Sequence, residues 1–141
     1  MNISIQILIG KKRLNISLER SLAQSFLCNN FQFDFIQNAR EIAIAEDHIV
    51  FVCERDDSAN DISGNIEFYD FGGKKFADME EIVGEINDVY TGVYLHTSET
   101  FGECEQKLNA NHVYCVCNTW NDNHYIIDLN EMKLVKKFHC R

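Results

Sequence analysis

One phrase occurs twice in this chain, and it limits the folds open to the rest. "HIVFVC" at 48–53 and "HVYCVC" at 112–117 are both apolar runs that open on histidine and close on cysteine. A second block repeats as well. Phe68-Tyr69-Asp70-Phe71 matches Ile126-Ile127-Asp128-Leu129, and each copy then turns, through Gly72-Gly73 or Asn130-Glu131, into Lys74-Lys75-Phe76 or Lys133-Leu134-Val135. The offset is 64 residues at the first block and 58 at the second. The six-residue difference is assigned to the polar loop after Cys53, where an insertion costs little.

A strand, a loop, a strand ending in aspartate and a tight turn into another strand form the unit of a propeller-like antiparallel sheet. Two units are too few to close a propeller. The expected fold is therefore mainly β (α+β): antiparallel sheets from two blade-like, propeller-like repeats, with an N-terminal hairpin and two or three short helices. A chain of 141 residues can bury one core unaided. The expected organisation is one domain over 1–141, with hairpin and helix in 1–30, the first repeat in 31–86 and the second in 87–141.

The remaining segments fit that frame. "ISIQILI" (3–9) and "RLNISL" (13–18) alternate around "GKK", which predicts a hairpin. "LERSLAQSFLC" shifts to helical spacing, with Leu18, Leu22, Phe26, Ala23 and Leu27 on one face and Ser17 as a cap. "FQFDFI" (31–36), "REIAIAE" (40–46), "HIVFVCE" (48–54) and "NIEFYDF" (65–71) read as strands. Met79, Ile82, Val83 and Ile86 recur at helical spacing behind Asp78 and Glu81, so a second short helix is expected. Strands follow at "VYTGVYLH", "HVYCVCNTW", "HYIIDLN" and "KLVKKFH".

Charge is distributed unevenly. Residues 41–105 hold 17 acidic and 3 basic residues, and the flanks hold 5 acidic and 10 basic, for a net charge of −9. A midsection this anionic repels nucleic acid and membrane surfaces and attracts basic proteins or cations. No stretch approaches the length of a membrane span, and the N-terminus lacks the order of a secretory signal, so a cytoplasmic location is expected. The six cysteines are accordingly read as reduced, with Cys53, Cys115 and Cys117 acting as small buried apolar groups.

Three constellations invite chemistry. His112, Cys115, Cys117, His124, His139 and Cys140 crowd the last third, yet alternate strand residues face opposite ways, so no zinc site is expected. Asp56, Ser58, Asn60 and Glu67 echo a calcium loop, but Asp61 stands where that loop requires glycine; an acidic, solvated loop is the expected meaning. Neither a nucleophile elbow nor a phosphate or dinucleotide fingerprint is present, so the chain is read as non-enzymatic and without a cofactor. Trp120, in "NTWNDNH", has two readings: an exposed interface anchor, or a cover for the end of the sheet.

Residues 111–138, "NHVYCVCNTWNDNHYIIDLNEMKLVKKF", combine paired strands, Trp120 near the loop, Asp128-Leu129 before the turn and a Lys-rich last strand ending at Phe138. This segment resembles a strand–turn–strand phrase of small bacterial immunity proteins, which accompany polymorphic toxins, including those of contact-dependent growth inhibition. Asn130-Glu131-Met132 stands where such turns often carry glycine. The resemblance implies a protein that binds a cognate toxin domain; no individual residue's role carries over.

Charge points the same way. Nuclease toxins must contact phosphate, so an acidic, non-catalytic domain can occlude their basic working surface and be steered to it. The residues expected at that contact are Glu54, Asp56, Asp57 and Asp61, joined by Glu99, Glu103 and Glu105, with Trp120 and Asp122. The alternative is a propeller-like ligand-binding or assembly module with no toxin partner. A small enzyme would need a deep pocket with convergent polar groups.

Overall fold

The computed structural model describes residues 2–9, 12–30, 39–45, 48–53, 65–84, 89–96, 100–101, 106–109 and 111–139. They form β1 (Asn2–Ile9), β2 (Lys12–Glu19), α1 (Arg20–Asn30), β3 (Ala39–Ala45), β4 (His48–Cys53), β5 (Ile66–Asp70), β6 (Lys75–Asp78), α2 (Met79–Val83), β7 (Tyr90–His96), β8 (Thr100–Phe101), β9 (Gln106–Lys107), β10 (Tyr114–Thr119), β11 (Asn123–Asp128) and β12 (Lys133–His139). The fold is mainly β. A six-stranded sheet has the order β2-β1-β3-β4-β5-β6, a four-stranded sheet has the order β12-β11-β10-β7, and β8 and β9 pair alone.

The first sheet is mixed, which corrects the expectation of wholly antiparallel sheets. β1 lies parallel to β3, with Ile5 opposite Ile42 and Ile7 opposite Ile44. Parallel neighbours need a long crossover, and β2 followed by α1 supplies it. Among the described residues neither sheet closes and no propeller is formed. The strand expected at 31–36 lies outside the described residues.

Two expectations about helices also need correcting. Ser17 lies within β2, not at the start of α1. The buried stripe of α1 runs through Ala23 and Leu27 with Phe26 half-buried, whereas Leu22 is 57% exposed. The sheet meets only the Ala23–Leu27 side, because the small Ala23 lets the helix lie close to Ile3, Ile5, Ile42, Ile49 and Phe51. α2 is a single short turn whose Met79 plugs the main core.

That main core lies between the sheets. Val50, Val52, Ile66 and Phe68 of the first sheet pack against Cys115, Cys117, Tyr125 and Ile127 of the second. Phe68 is fully buried; truncating such a side chain to alanine typically costs about 3–5 kcal/mol. The opposite face of the first sheet packs on α1. The opposite face of the second holds a smaller cluster of Tyr114, Val116, Ile126 and Leu108.

The strand registers relate the two sheets closely. β3-β4-β5-β6 and β7-β10-β11-β12 are both four-strand antiparallel meanders. Val50 is flanked by Ala43 and Phe68, as Val116 is flanked by Tyr94 and Ile126. A bulge falls between Phe68 and Tyr69 in one meander and between Ile126 and Ile127 in the other, which are matching positions. The residue two before the paired Lys75 and Leu134 has positive φ in both, 88° at Gly73 and 54° at Met132.

These registers shift the alignment drawn from sequence. Asp70 lies opposite His48, but Asp128 lies opposite Tyr114, so Tyr114 rather than His112 is the counterpart of His48. The chain from His48 to its partner Asp70 is therefore eight residues longer than the chain from Tyr114 to its partner Asp128, where the alignment from sequence gives six. The facing surfaces of the sheets are also not counterparts. Val50 faces the second sheet, whereas Val116 points away from the first.

The outward edge of β7 is closed by side chains of the first sheet. The Asn65 amide accepts from the Tyr90 N–H and donates to the Tyr90 carbonyl, both at 2.8 Å. Arg40 donates to the carbonyls of Tyr90 and Thr91 at 3.3 and 2.6 Å. The Glu41 carboxylate accepts from Val93 N–H at 3.1 Å, the Gln6 side chain accepts from Leu95 N–H, and Arg13 donates to the Leu95 carbonyl at 3.0 Å. Successive β7 residues thus meet side chains from the start of β5, then β3, β1 and β2. β7 therefore runs across the strands of the first sheet, as in crossed sheet packing. An edge satisfied in this way offers little to strand addition by another chain.

Candidate interaction surface

The three-residue turn 120–122 between β10 and β11 displays two side chains and holds them with the rest. Thr119, 4% exposed, is its anchor. Its hydroxyl accepts from Asn123 N–H at 3.0 Å and lies 2.6 Å from Asn121 Oδ1, which also accepts from Asn123 Nδ2 at 3.2 Å. Asp122 N–H closes the turn onto the Thr119 carbonyl at 3.2 Å, and Trp120 N–H reaches the Val89 carbonyl at 3.2 Å. Asp122 takes a positive φ of 64°, a conformation that short polar side chains tolerate better than most.

Trp120 is 69% exposed, so it does not cover the sheet end. Asp122, two residues on in the same turn, is exposed as well. Among the described residues, neither the indole nor this carboxylate has a hydrogen-bond or ion-pair partner. Around the turn, His124 bonds Asn118 and stacks on Phe138 with centroids 5.0 Å apart, and His139 bonds Asn123 at 3.2 Å. These contacts tie three strands together under the turn.

Glu54, Asp56, Asp57 and Asp61 lie outside the described residues, but both ends of their segment are described. Cys53 and Asn65 are joined by a backbone bond at 2.8 Å, and Asn65 holds Tyr90. Tyr90 directly follows Val89, the acceptor of Trp120 N–H. Cys53 and Asn65, the described residues on either side of 54–64, therefore lie at the end of the sheets that carries Trp120 and Asp122. Glu99, Glu103 and Glu105 also lie outside the described residues. The segment carrying them leaves β7 at His96, opposite Tyr114, at the other end of the second sheet. Its described flanks do not bring it to Trp120.

The described members of the other constellations make structural contacts. Cys115 and Cys117 share the buried inter-sheet face, with Sγ atoms 3.8 Å apart, and His112 sits on the opposite side of the strand. The contact with Cys115 and burial push the Cys117 thiol well above its ordinary value, and burial pushes Cys53 up to about 11. Such thiols are poor nucleophiles and poor ligands at neutral pH. Cys140 lies outside the described residues, as do Asp56, Ser58 and Asn60 of the calcium-like loop. Glu67 lies on β5, where it takes Lys75 Nζ at 3.5 Å and the Tyr69 hydroxyl at 3.3 Å.

His112, Asp128 and Glu131 form a grouping that the sequence reading did not single out as a set. Asp128 is the counterpart of Asp70, and both are turn formers. Asp70 Oδ1 accepts from Lys74 N–H at 2.9 Å; Asp128 Oδ1 accepts from Asn130 and Glu131 N–H at 2.9 and 3.1 Å. Asp128 Oδ2 takes His112 Nδ1 at 2.7 Å. Both carboxylate oxygens are thus committed to the turn and to the neighbouring strand.

No protein-family model matches this chain, and no curated protein or solved structure matches it either. Among the described residues no helix is long and apolar enough to cross a membrane.

Proposed function

We propose that this chain is a non-catalytic immunity protein, acting in the cytoplasm, that neutralises a cognate bacterial toxin domain by covering its basic, nuclease-type active surface. The observation that carries this reading is the exposed Trp120 on a braced turn, at the same end of the sheets as Cys53 and Asn65, between which the acidic residues 54–64 lie in sequence. Aromatic anchors concentrate binding energy, and surrounding carboxylates accelerate encounter with a basic partner. The resemblance of residues 111–138 to immunity proteins agrees with it.

Reversing the charges of Glu54, Asp56, Asp57 and Asp61 tests the reading against the toxin domain encoded beside the gene. Association should slow about tenfold or more and lose most of its dependence on salt. Binding unchanged in rate and salt dependence would rule this surface out.

A second reading rests on the matched registers. The two meanders, with bulges and left-handed loop residues at corresponding places, are well described as diverged copies of one blade-like unit stacked front to back. Under that reading the chain is an assembly or ligand-binding module. Cells expressing the neighbouring toxin separate the two: an immunity protein rescues growth, and an assembly module does not.

A further inference from the structure

We infer that the β10–β11 turn is an arginine-binding corner, in which a partner's guanidinium stacks on the Trp120 indole while the Asp122 carboxylate accepts its N–H groups. The inference rests on the reading that this end of the molecule meets a basic protein, and it narrows the partner's chemistry from basic to arginine.

Three observations carry it. Every other polar side chain of the turn is spent on bracing: Thr119, Asn121 and Asn123 bond one another and the backbone. The two residues left over, Trp120 and Asp122, are exposed and have no partner among the described residues. Asp122 is also held at a φ of 64°, the left-handed position of a three-residue hairpin turn, which fixes the direction in which its side chain leaves the backbone. A flat, exposed indole with a carboxylate two residues away matches a planar cation bearing several in-plane donors. Guanidinium is that cation; ammonium, a compact and strongly hydrated point charge, gains far less from the indole face. Arg40 and Lys137, described cations near this end, are engaged with the carbonyls of Tyr90 and Thr91 and with the Tyr125 ring.

The sequence holds one tryptophan, so emission of the intact chain reports on this residue alone. Oligoarginine and oligolysine peptides of equal length supply the probes, with calorimetry for variants lacking the indole. The arginine peptide should bind at least about fivefold more tightly and change the Trp120 emission. Asp122→Asn and Trp120→Ala should each remove most of that preference, leaving the weak, salt-sensitive binding that both peptides share. Both side chains are exposed, and unchanged melting of the variants confirms that the fold is intact. Equal affinity for the two peptides, or a preference untouched by both substitutions, overturns the corner. Arginine preference without neutralisation of any toxin would leave the corner standing and remove the immunity reading. Neutralisation by a chain with no arginine preference would do the reverse.

Discussion

The Glu41 carboxylate accepts the Val93 backbone N–H at 3.1 Å, and a Cβ added at Gly92 would lie 2.8 Å from the same oxygen. One sheet therefore reaches the edge of the other with a charged side chain through a gap that only glycine leaves open. Burial holds the Glu41 carboxyl above its ordinary value of 4.5, against the opposing effects of the Val93 bond and Arg40. The folded chain thus binds this proton more readily than the unfolded one. The contribution is favourable below about pH 4.5 and is lost as pH rises through the higher folded value. Glu41→Gln, which keeps the acceptor, should flatten that fall and leave stability near pH 7 unchanged or higher by at most about 1 kcal/mol. Denaturant unfolding at several pH values from 4.5 to 7.5 reads the slope.

Gly92→Ala should cost about 1 kcal/mol by displacing the carboxylate from Val93. In a Glu41→Ala background the same change should cost much less, and a double-mutant cycle measures the coupling. Strict additivity would show that the contact contributes nothing.

Asn65 presents one acceptor and two donor bonds, to Tyr90 N–H and to the carbonyls of Tyr90 and Cys53. Asn65→Asp keeps the acceptor and sets an anion against both carbonyls. It should destabilise by about 2–3 kcal/mol at neutral pH and less at pH 4, where the carboxyl is protonated. Thermal melts at the two pH values check this.

The two turn aspartates should differ in weight. Asp128 is buried and serves two backbone donors and His112, so Asp128→Ala should cost about 2–3 kcal/mol. Asp70 is half-buried and its carboxylate takes the Lys74 N–H, and Asp70→Ala should cost about 0.5–1 kcal/mol. Urea unfolding of both variants gives the comparison.

Cys53, Cys115 and Cys117 should resist a thiol reagent in the native protein and react together when it unfolds. Mass spectrometry after brief alkylation, with peptides assigned to each thiol, separates native from unfolded reactivity. Rapid native labelling of Cys115 or Cys117 would contradict their place between the sheets.

Much of this fold was legible, and the failures have physical causes. The recurring phrase located β4, β5, β10 and β11 because long apolar runs ending in Asp-turn chemistry leave few other options. Its register was misread by two residues because alternation fixes which face a side chain takes and not its height along the partner strand. Nothing local announces that β1 pairs with β3: the pairing spans the crossover, and both strands read as ordinary apolar segments. Gln6, Arg13, Arg40, Glu41 and Asn65 looked like solvated polar residues. A usable signal was present in part. Gln6 shares a face with Leu8, and Glu41 shares one with Ala43 and Ala45, so a polar group sat on a face that turned inward beside small residues. Trp120 stands out in sequence, and its exposure removes only the reading in which it covers the sheet end.

The most direct test of the proposed function is to assay toxin domains encoded beside the gene for affinity by calorimetry, with the intact protein and with Trp120→Ala. The account predicts tight binding that weakens about tenfold or more in the variant, with loss of protection in cells carrying the toxin. No binding by the intact protein, or the same affinity with and without the indole, would contradict it.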